Sequence, residues 1–521
     1  MFAGEAIMRA LSRQAVALIG SLLFCGEGAY SQQTFPPLNV VPSSAEEIGR
    51  VPNHFMYLRP DLQVVQDPVD GQLVFLNDAG RVVGRADLPP QFEIGEVIAE
   101  AEAVKMIDTQ GQNQVTIPRT IKAAGGLSVT KLKAGELKRR PRLIRVDPMR
   151  MLYGGEGKAG PKRLVIQSIS GGRLAQAYEI GPAQGKTRYI VIEEIVASTP
   201  KLHVRMFALR YDAGGRVTGV AYLPIDEMDV VPRDFVTVTG RGELRVLVPT
   251  RVDVKIREIQ FSAPNLVPTR QTGMSDADFR SVGTIKREIT VESKIAVVND
   301  ITNGRADGPR FTLRVPEPPI KRDAVLKNAR AFLTVNWTMR AENFSKPEVA
   351  NRCAPSQGAY WARPARFASS TVGKTIGPMP YRWGGDDTPE SFKSRLELGA
   401  LAGDICTCRD EAYNYCLVAN SAGSDCSGFV SSAWGIAKRG TWGLQDVSVG
   451  VNNIADMRPG DAFNLPGSHV RLFAALAGGA ALAFTVLESS TRRECEGVCE
   501  RTYRPSELSR FQLIRYRGIV E

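Results

Sequence analysis

From about Val51 to Val315 the apolar positions come in short runs of Val, Ile, Leu and Tyr, each cut off by Gly, Asp or Asn. Runs this short, alternating with polar residues and bounded by turn formers, predict antiparallel strands joined by tight turns. A degenerate repeat underlies them. "FLNDAGRVVGRADLP" (75–89) matches "LRYDAGGRVTGVAYLP" (209–224), and "VKMIDTQGQNQVTIP" (104–118) matches "VTVTGRGELRVLVP" (236–249). Further Gly-turn hairpins fall at 122–129 and 168–180. With Asp78, Ala124, Ser170 and Asp212 as turn markers, the steps are 46, 46 and 42 residues. Two hairpins per unit at this period are what a four-stranded propeller blade requires. The region 51–315 therefore reads as an all-β repeat domain, propeller-like; unrelated hairpins forming barrels or sandwiches are the alternative. His54 and His203 stand alone in it and read as structural or exposed.

The pattern changes after "VPEPPIKRD" (315–323), which reads as a linker. "AVLKNARAFLTVNWT" has helical spacing and opens a C-terminal domain over 318–521. There Phe429, Val430, Ala433, Trp434 and Ala437 recur at helical spacing, so a helix starts near Cys426 with Asp425 or Ser424 as its cap. The apolar stretch "LFAALAGGAALAFTVL" is broken at Gly478-Gly479 and predicts two strands rather than a membrane span.

At the N-terminus, Arg9 and Arg13 precede the apolar run "AVALIGSLLF", and small residues follow. The run is too short to span a bilayer as a stable helix, and 1–31 reads as a secretory signal cleaved after Ser31; an uncleaved anchor is the alternative. A Pro-rich linker, 32–50, comes next. The expected location is exported: periplasmic, cell-envelope or secreted, with no stable membrane insertion once the signal is removed. The 521 residues are 43% hydrophobic and 23% charged, a globular balance, with net charge +11. The positive charge is scattered with no interleaved aromatic platform. It reads as solvated surface, with an anionic envelope partner as second reading and no nucleic acid.

Export permits disulfides. Loss of Cys25 with the signal leaves seven cysteines, all beyond residue 350: Cys353, Cys406, Cys408, Cys416, Cys426, Cys495 and Cys499. An odd number directs attention to a reactive thiol. Pairing of the other six is left open by the sequence. A zinc site from Cys406, Cys408, Cys495 and Cys499 is a rival reading.

"DCSGFV" places Cys426 in the first turn of its helix, where the dipole and unbonded amides favour thiolate over thiol. A thiolate nucleophile needs a base, and the C-terminal domain holds one histidine, His469, at the start of a strand. The following strand presents Glu488 to hold the imidazole tautomer, with Ser489 or Ser490 as alternatives. Three segments thus converge: "MPYRWGGDD" (379–387), "SDCSGFVSSAWGIAKRG" (424–440) and "MRPGDAFNLPGSHVRLF" (457–473).

"YRWGG", "DCSGFV", "PGD" and "HV", in this order, resemble the NlpC/P60 cell-wall cysteine peptidases of the papain-like superfamily. The resemblance covers the last 200 or so residues. It implies an α+β papain-like domain with Cys426 as nucleophile, His469 as general base and acid, and Glu488 as the orienting residue. It further implies that Tyr381 lines the site, that Asp425 and Ser427 contact a free amino end of the substrate, and that no metal or other cofactor takes part. The substrate it implies is peptidoglycan or muropeptides, cut at an amide such as γ-D-glutamyl to a diamino acid. Three features depart from the family pattern: Glu as third residue, Arg471 where a small residue is usual, and a cysteine-bearing insertion after "YRWGG". A non-catalytic envelope-binding protein and an amidase or acyltransferase acting on a non-wall substrate are the alternatives.

Overall fold

The computed structural model describes residues 38–39, 53–67, 72–89, 92–122, 126–132, 142–154, 164–181, 187–228, 230–250, 253–267, 274–291, 318–344, 363–364, 366–405, 418, 420–477, 479, 481–492 and 495–521. The signal and its cleavage site, Ala124, and Cys353, Cys406, Cys408 and Cys416 lie outside the described residues.

Five antiparallel sheets follow one another along the chain, each built from consecutive strands. The first runs from Phe55–Arg59 to Val82–Asp87 and the second from Ile94–Ala99 to Gly126–Lys131, with Leu38–Asn39 added at its outer edge. The third has three strands, between Arg142–Asp147 and Leu164–Gln167. The fourth spans Arg173–Glu179 to Val217–Leu223, and the fifth Val236–Val238 to Thr284–Val291. The arrangement is mostly β and propeller-like. The last sheet returns to the first: the Phe55 amide donates to the Asp234 carbonyl at 2.7 Å, and Arg287 pairs with Asp78 at 2.6 Å. Fourth and fifth sheets meet where the Tyr222 amide donates to the Val282 carbonyl at 2.7 Å. Alternation explains the packing, since each strand sends every second side chain to a face and those faces are apolar.

The repeat read from the sequence holds in part. The turns at Asp78 and Asp212 both join the third and fourth strands of their sheets, the first and the fourth. Ser170, in contrast, links the third sheet to the fourth. The second matched pair also falls at unlike places: 104–118 forms strands two and three of its sheet, 236–249 strands one and two. Short Gly-turn hairpins look alike wherever they occur, so hairpin similarity alone did not fix the phase.

His54 and His203 are not isolated. His54 Nδ1 lies 2.8 Å from Asp234 Oδ2, and His203 Nε2 lies 2.9 Å from Asp276 Oδ2. Both partners are remote in sequence, and both pairs stitch the sheet domain together.

The C-terminal region begins with a strand, Ile320–Lys321, that pairs in parallel with Ile519–Val520. The segment expected to be linker is therefore structured from Ile320 onward. Three helices matter for the site: α1 (Arg322–Thr334), α2 (Pro389–Glu397) and α3 (Cys426–Ala433). A six-stranded antiparallel sheet uses β1 (Ser448–Gly450), β2 (Ala462–Leu465), β3 (His469–Ala477), β4 (Ala483–Ser490), β5 (Gly497–Tyr503) and β6 (Gln512–Tyr516), in the order β1-β6-β2-β3-β4-β5. The expected break at Gly478-Gly479 separates β3 from β4. α1 and α3 pack together through Phe332 and Phe429, whose rings meet edge-to-face at 5.2 Å.

One face of this sheet is continuous with the core of the propeller-like region. Phe463, Phe473, Phe484, Val486 and Leu513 share a buried cluster with Ala175, Tyr189, Val204 and Val246. Main-chain bonds cross as well, from the Leu202 amide to the Phe511 carbonyl and from the Leu482 amide to the Ala175 carbonyl, both 2.8 Å. Strands from several sheets line a cavity of about 780 Å³ whose wall includes Tyr178, Arg233, Thr502, Tyr503 and Arg504.

Candidate active site

The three segments expected to converge do so. Tyr381 forms a parallel bridge with Ser424, and Asp386 an antiparallel one. The Ser424 amide donates to the Pro380 carbonyl at 3.3 Å, and the Asp425 amide to the Gly385 carbonyl at 3.1 Å. This close approach accounts for the glycines of both motifs. A Cβ on Gly428 would run into the Gly385 carbonyl oxygen, and one on Gly385 would come within 2.5 Å of the Gly423 carbonyl oxygen.

Asp425 is the N-cap of α3. Its Oδ1 accepts from the Gly428 amide at 2.6 Å and from Ser427 Oγ at 2.9 Å. Its Oδ2 lies 3.0 Å from Lys438 Nζ. Both residues assigned by resemblance to a substrate's amino end are thus buried and already bonded within the chain. Asp387, which the sequence analysis did not single out, ties the neighbouring turn: it takes Arg395 of α2 at 2.9 Å and the Gly423 amide at 2.8 Å.

Cys426 is the one free cysteine among the described residues, 8% exposed in the first turn of α3. Its sulfur receives the amides of Val470 and Ser427. The first of these belongs to the residue after His469, so β3 runs directly past the thiol. Burial pushes the Cys426 thiol up to about 12 and the Asp425 charge adds to this. The two amides and the Lys438 charge oppose it. The dipole argument alone, which favoured thiolate, is outweighed by burial.

His469 Nε2 lies 2.7 Å from Glu488 Oε2, leaving Nδ1 as the ring nitrogen available to a proton from elsewhere. Burial lowers the imidazole pKa, and the Glu488 bond only partly offsets it. Burial thus works against charge on both the Cys426 thiol and the His469 imidazole. Glu488 is wholly buried. Burial alone would raise its pKa, but the Arg471 charge and the His469 bond hold it well below the usual carboxylate range. Arg471 Nε donates to Oε2 at 2.9 Å, and the Tyr503 hydroxyl donates to Oε1. The Arg471 guanidinium lies over the Tyr503 ring, 4.2 Å from its centroid.

Arg471 and Tyr503 are site residues that sequence reasoning did not assign. Arg471 carried a signal: on a strand it falls on the same face as His469, two residues earlier. Tyr503, from β5, carried none. Ser489, offered as an alternative orienting residue, instead donates to the Ser424 carbonyl at 2.6 Å, and Ser490 Oγ accepts from the Arg492 amide. Tyr381 is buried beside the loop that leads into Cys426.

Cys495 and Cys499 are bonded to each other, which overturns the zinc reading that used both as thiolates; the pair staples the turn between β4 and β5.

Neither a protein-family model nor a curated protein matches the chain. Among solved structures it is similar to a Bacteroides fragilis protein assigned as exported, at 10% identity over 47% of this chain and 76% of that one, with a TM-score of 0.21. It is similar to a streptogramin B lyase at 12% identity over 44% and 75%, TM-score 0.19. It is also similar to BamB from Moraxella catarrhalis at 12% over 44% and 61%, TM-score 0.13.

Proposed function

We propose that the chain is an exported cysteine peptidase that hydrolyses amide bonds in peptidoglycan stem peptides, with Cys426 as nucleophile. The observation that carries this reading is the alignment of Cys426, in the first turn of α3, with the strand that opens at His469, whose ring is held by Glu488.

With burial disfavouring charge on both thiol and imidazole, His469 acts as general base at the moment of attack. The Cys426 proton passes to the imidazole as sulfur bonds to the carbonyl carbon, and the carbonyl π pair moves to oxygen. Asp425 takes the Gly428 amide with its side chain and the Phe429 amide with its carbonyl, and the Ser427 amide meets the Cys426 sulfur, so the Cys426 amide at the helix start is the donor for the developing oxyanion. Collapse expels the amine, protonated by His469, and leaves a thioester. Water, deprotonated by His469, then releases the acid and restores the thiol. The buried Glu488 carboxylate stabilises the imidazolium in each half-reaction. No step requires a metal. Tyr381 would wall the substrate channel. The bond favoured by the family resemblance is γ-D-glutamyl to a diamino acid, and the sheet region would position the enzyme on the wall.

The test is digestion of muropeptides, read by mass spectrometry, with wild type and Cys426→Ala in parallel. Cleavage by wild type alone supports the proposal. Equal digestion by both, or none by either across diverse walls, removes it.

A further inference from the structure

Asp425 is a costly choice of cap beside a nucleophile. Ser or Asn would cap α3 as well, whereas a carboxylate one residue before Cys426 opposes formation of the thiolate. The chain supplies the compensating charge from its own sequence. Past the end of α3 the backbone turns at Gly435 (φ 69°) and runs back along the helix, held where the Arg439 amide donates to Ser431 Oγ at 3.0 Å. This return brings Lys438 to the start of the helix it has just left. Its ammonium donates to Asp425 Oδ2 at 3.0 Å and to the Gly385 carbonyl at 3.0 Å. That carbonyl also receives the Asp425 amide and packs on Gly428.

We infer that Lys438 is a positioning residue for Cys426: its ammonium neutralises the Asp425 carboxylate and clamps the Gly385 turn onto the first turn of α3. The inference rests on the reading of Cys426 as nucleophile. Among the described residues, Asp425 and Lys438 are the charges that act on the thiol, and the other charged groups nearby are engaged elsewhere. On β3 and β4, Arg471 and Glu488 are bonded to each other behind His469. α1 turns Val325, Ala329 and Phe332 inward. Lys438 is 23% exposed at its side chain, so its pairing with Asp425 is partly screened by water and its effect is moderate rather than absolute.

The test needs no substrate. The full chain is treated with iodoacetamide between pH 6 and 10, and the Cys426-bearing peptide is quantified by mass spectrometry. Lys438→Met is expected to react about tenfold more slowly at every pH, the displacement of one pKa unit. Lys438→Arg should stay within about threefold of wild type. Asp425→Asn combined with Lys438→Met should return most of the lost rate, because both charges are then gone. A purely structural role gives the opposite sign, since loosening the helix start exposes the sulfur and speeds alkylation. A Lys438→Met rate equal to or above wild type overturns the inference, as does a double variant no faster than the single one. The outcome is separable from the peptidase reading. If Cys426→Ala still digests muropeptides while Lys438→Met slows alkylation, the peptidase reading fails and the role of Lys438 toward the thiol stands.

Discussion

His469 Nε2 and Glu488 Oε2 are 2.7 Å apart, and the carboxylate is fully buried between Arg471 and Tyr503. A carboxylate with three partners stays charged and stays in place, and that makes it an effective orienting group for the imidazole. Glu488→Gln keeps the shape but loses the charge. It is expected to lower kcat by about 10²- to 10⁴-fold with little change in KM. It also leaves the Arg471 charge without its partner, at a cost of roughly 3 kcal/mol or more in urea unfolding. Retention of more than a tenth of wild-type kcat would contradict the assignment.

Tyr503 links the site to the cavity of the propeller-like region, since the residue belongs to the cavity wall and its hydroxyl bonds Glu488. Tyr503→Phe removes one donor to a buried carboxylate and should cost about 1–3 kcal/mol of stability. Because His469 keeps its bond, activity should fall no more than about tenfold. Thermal unfolding and steady-state kinetics on the same preparation check both halves.

Gly428 faces the Gly385 carbonyl inside α3, where helix propensity alone would favour Ala. Gly428→Ala is nevertheless expected to destabilise by about 2 kcal/mol or more, because the added methyl separates the two loops that surround Cys426. An unchanged or raised melting temperature would show that the loops can part freely.

Wild-type Cys426 should show no thiolate plateau near neutral pH. With the thiol pushed up to about 12, alkylation below that value rises about tenfold per pH unit throughout the range from 6 to 10. A plateau starting near pH 7 would indicate a preformed thiolate–imidazolium pair and a different first step.

Glu193 is buried where the fourth sheet meets the C-terminal region, accepting from the Ser506 amide at 3.1 Å. Burial raises its pKa from the ordinary 4.5 to about 7. A carboxyl raised on folding binds its proton more tightly in the native state. Its contribution therefore declines as pH rises from about 4.5 to about 7 and is constant above that range. The accumulated loss is on the order of 3 kcal/mol. Glu193→Gln should flatten this part of the stability–pH curve while leaving stability near pH 4.5 little changed. A curve of unaltered slope would exclude Glu193 as its source.

Legibility followed the range of the physics. The helix at Cys426 and its cap could be read because capping acts over three residues, and the break between β3 and β4 because glycines interrupt an apolar run. The partners of His54 and His203 could not, being 180 and 73 residues away. The repeat was visible where turns recur at equivalent places, as at Asp78 and Asp212, and misleading where the same turn chemistry joins one sheet to the next, as at Ser170.

For the candidate site, the identity and order of Cys426 and His469 were legible in the sequence. A single histidine in the domain and a cysteine at a helix start leave few other choices. Which of Glu488, Ser489 and Ser490 faces the imidazole was decided by tertiary structure. The pleat of β4 sends neighbouring side chains to opposite faces. Packing against β3 and β5 then places Arg471 and Tyr503 around Glu488, while Ser489 turns to the Ser424 carbonyl. Tertiary structure also reversed the expected bias toward thiolate. A helix dipole can be read from a few consecutive residues, but the burial that outweighs it depends on everything packed around the sulfur.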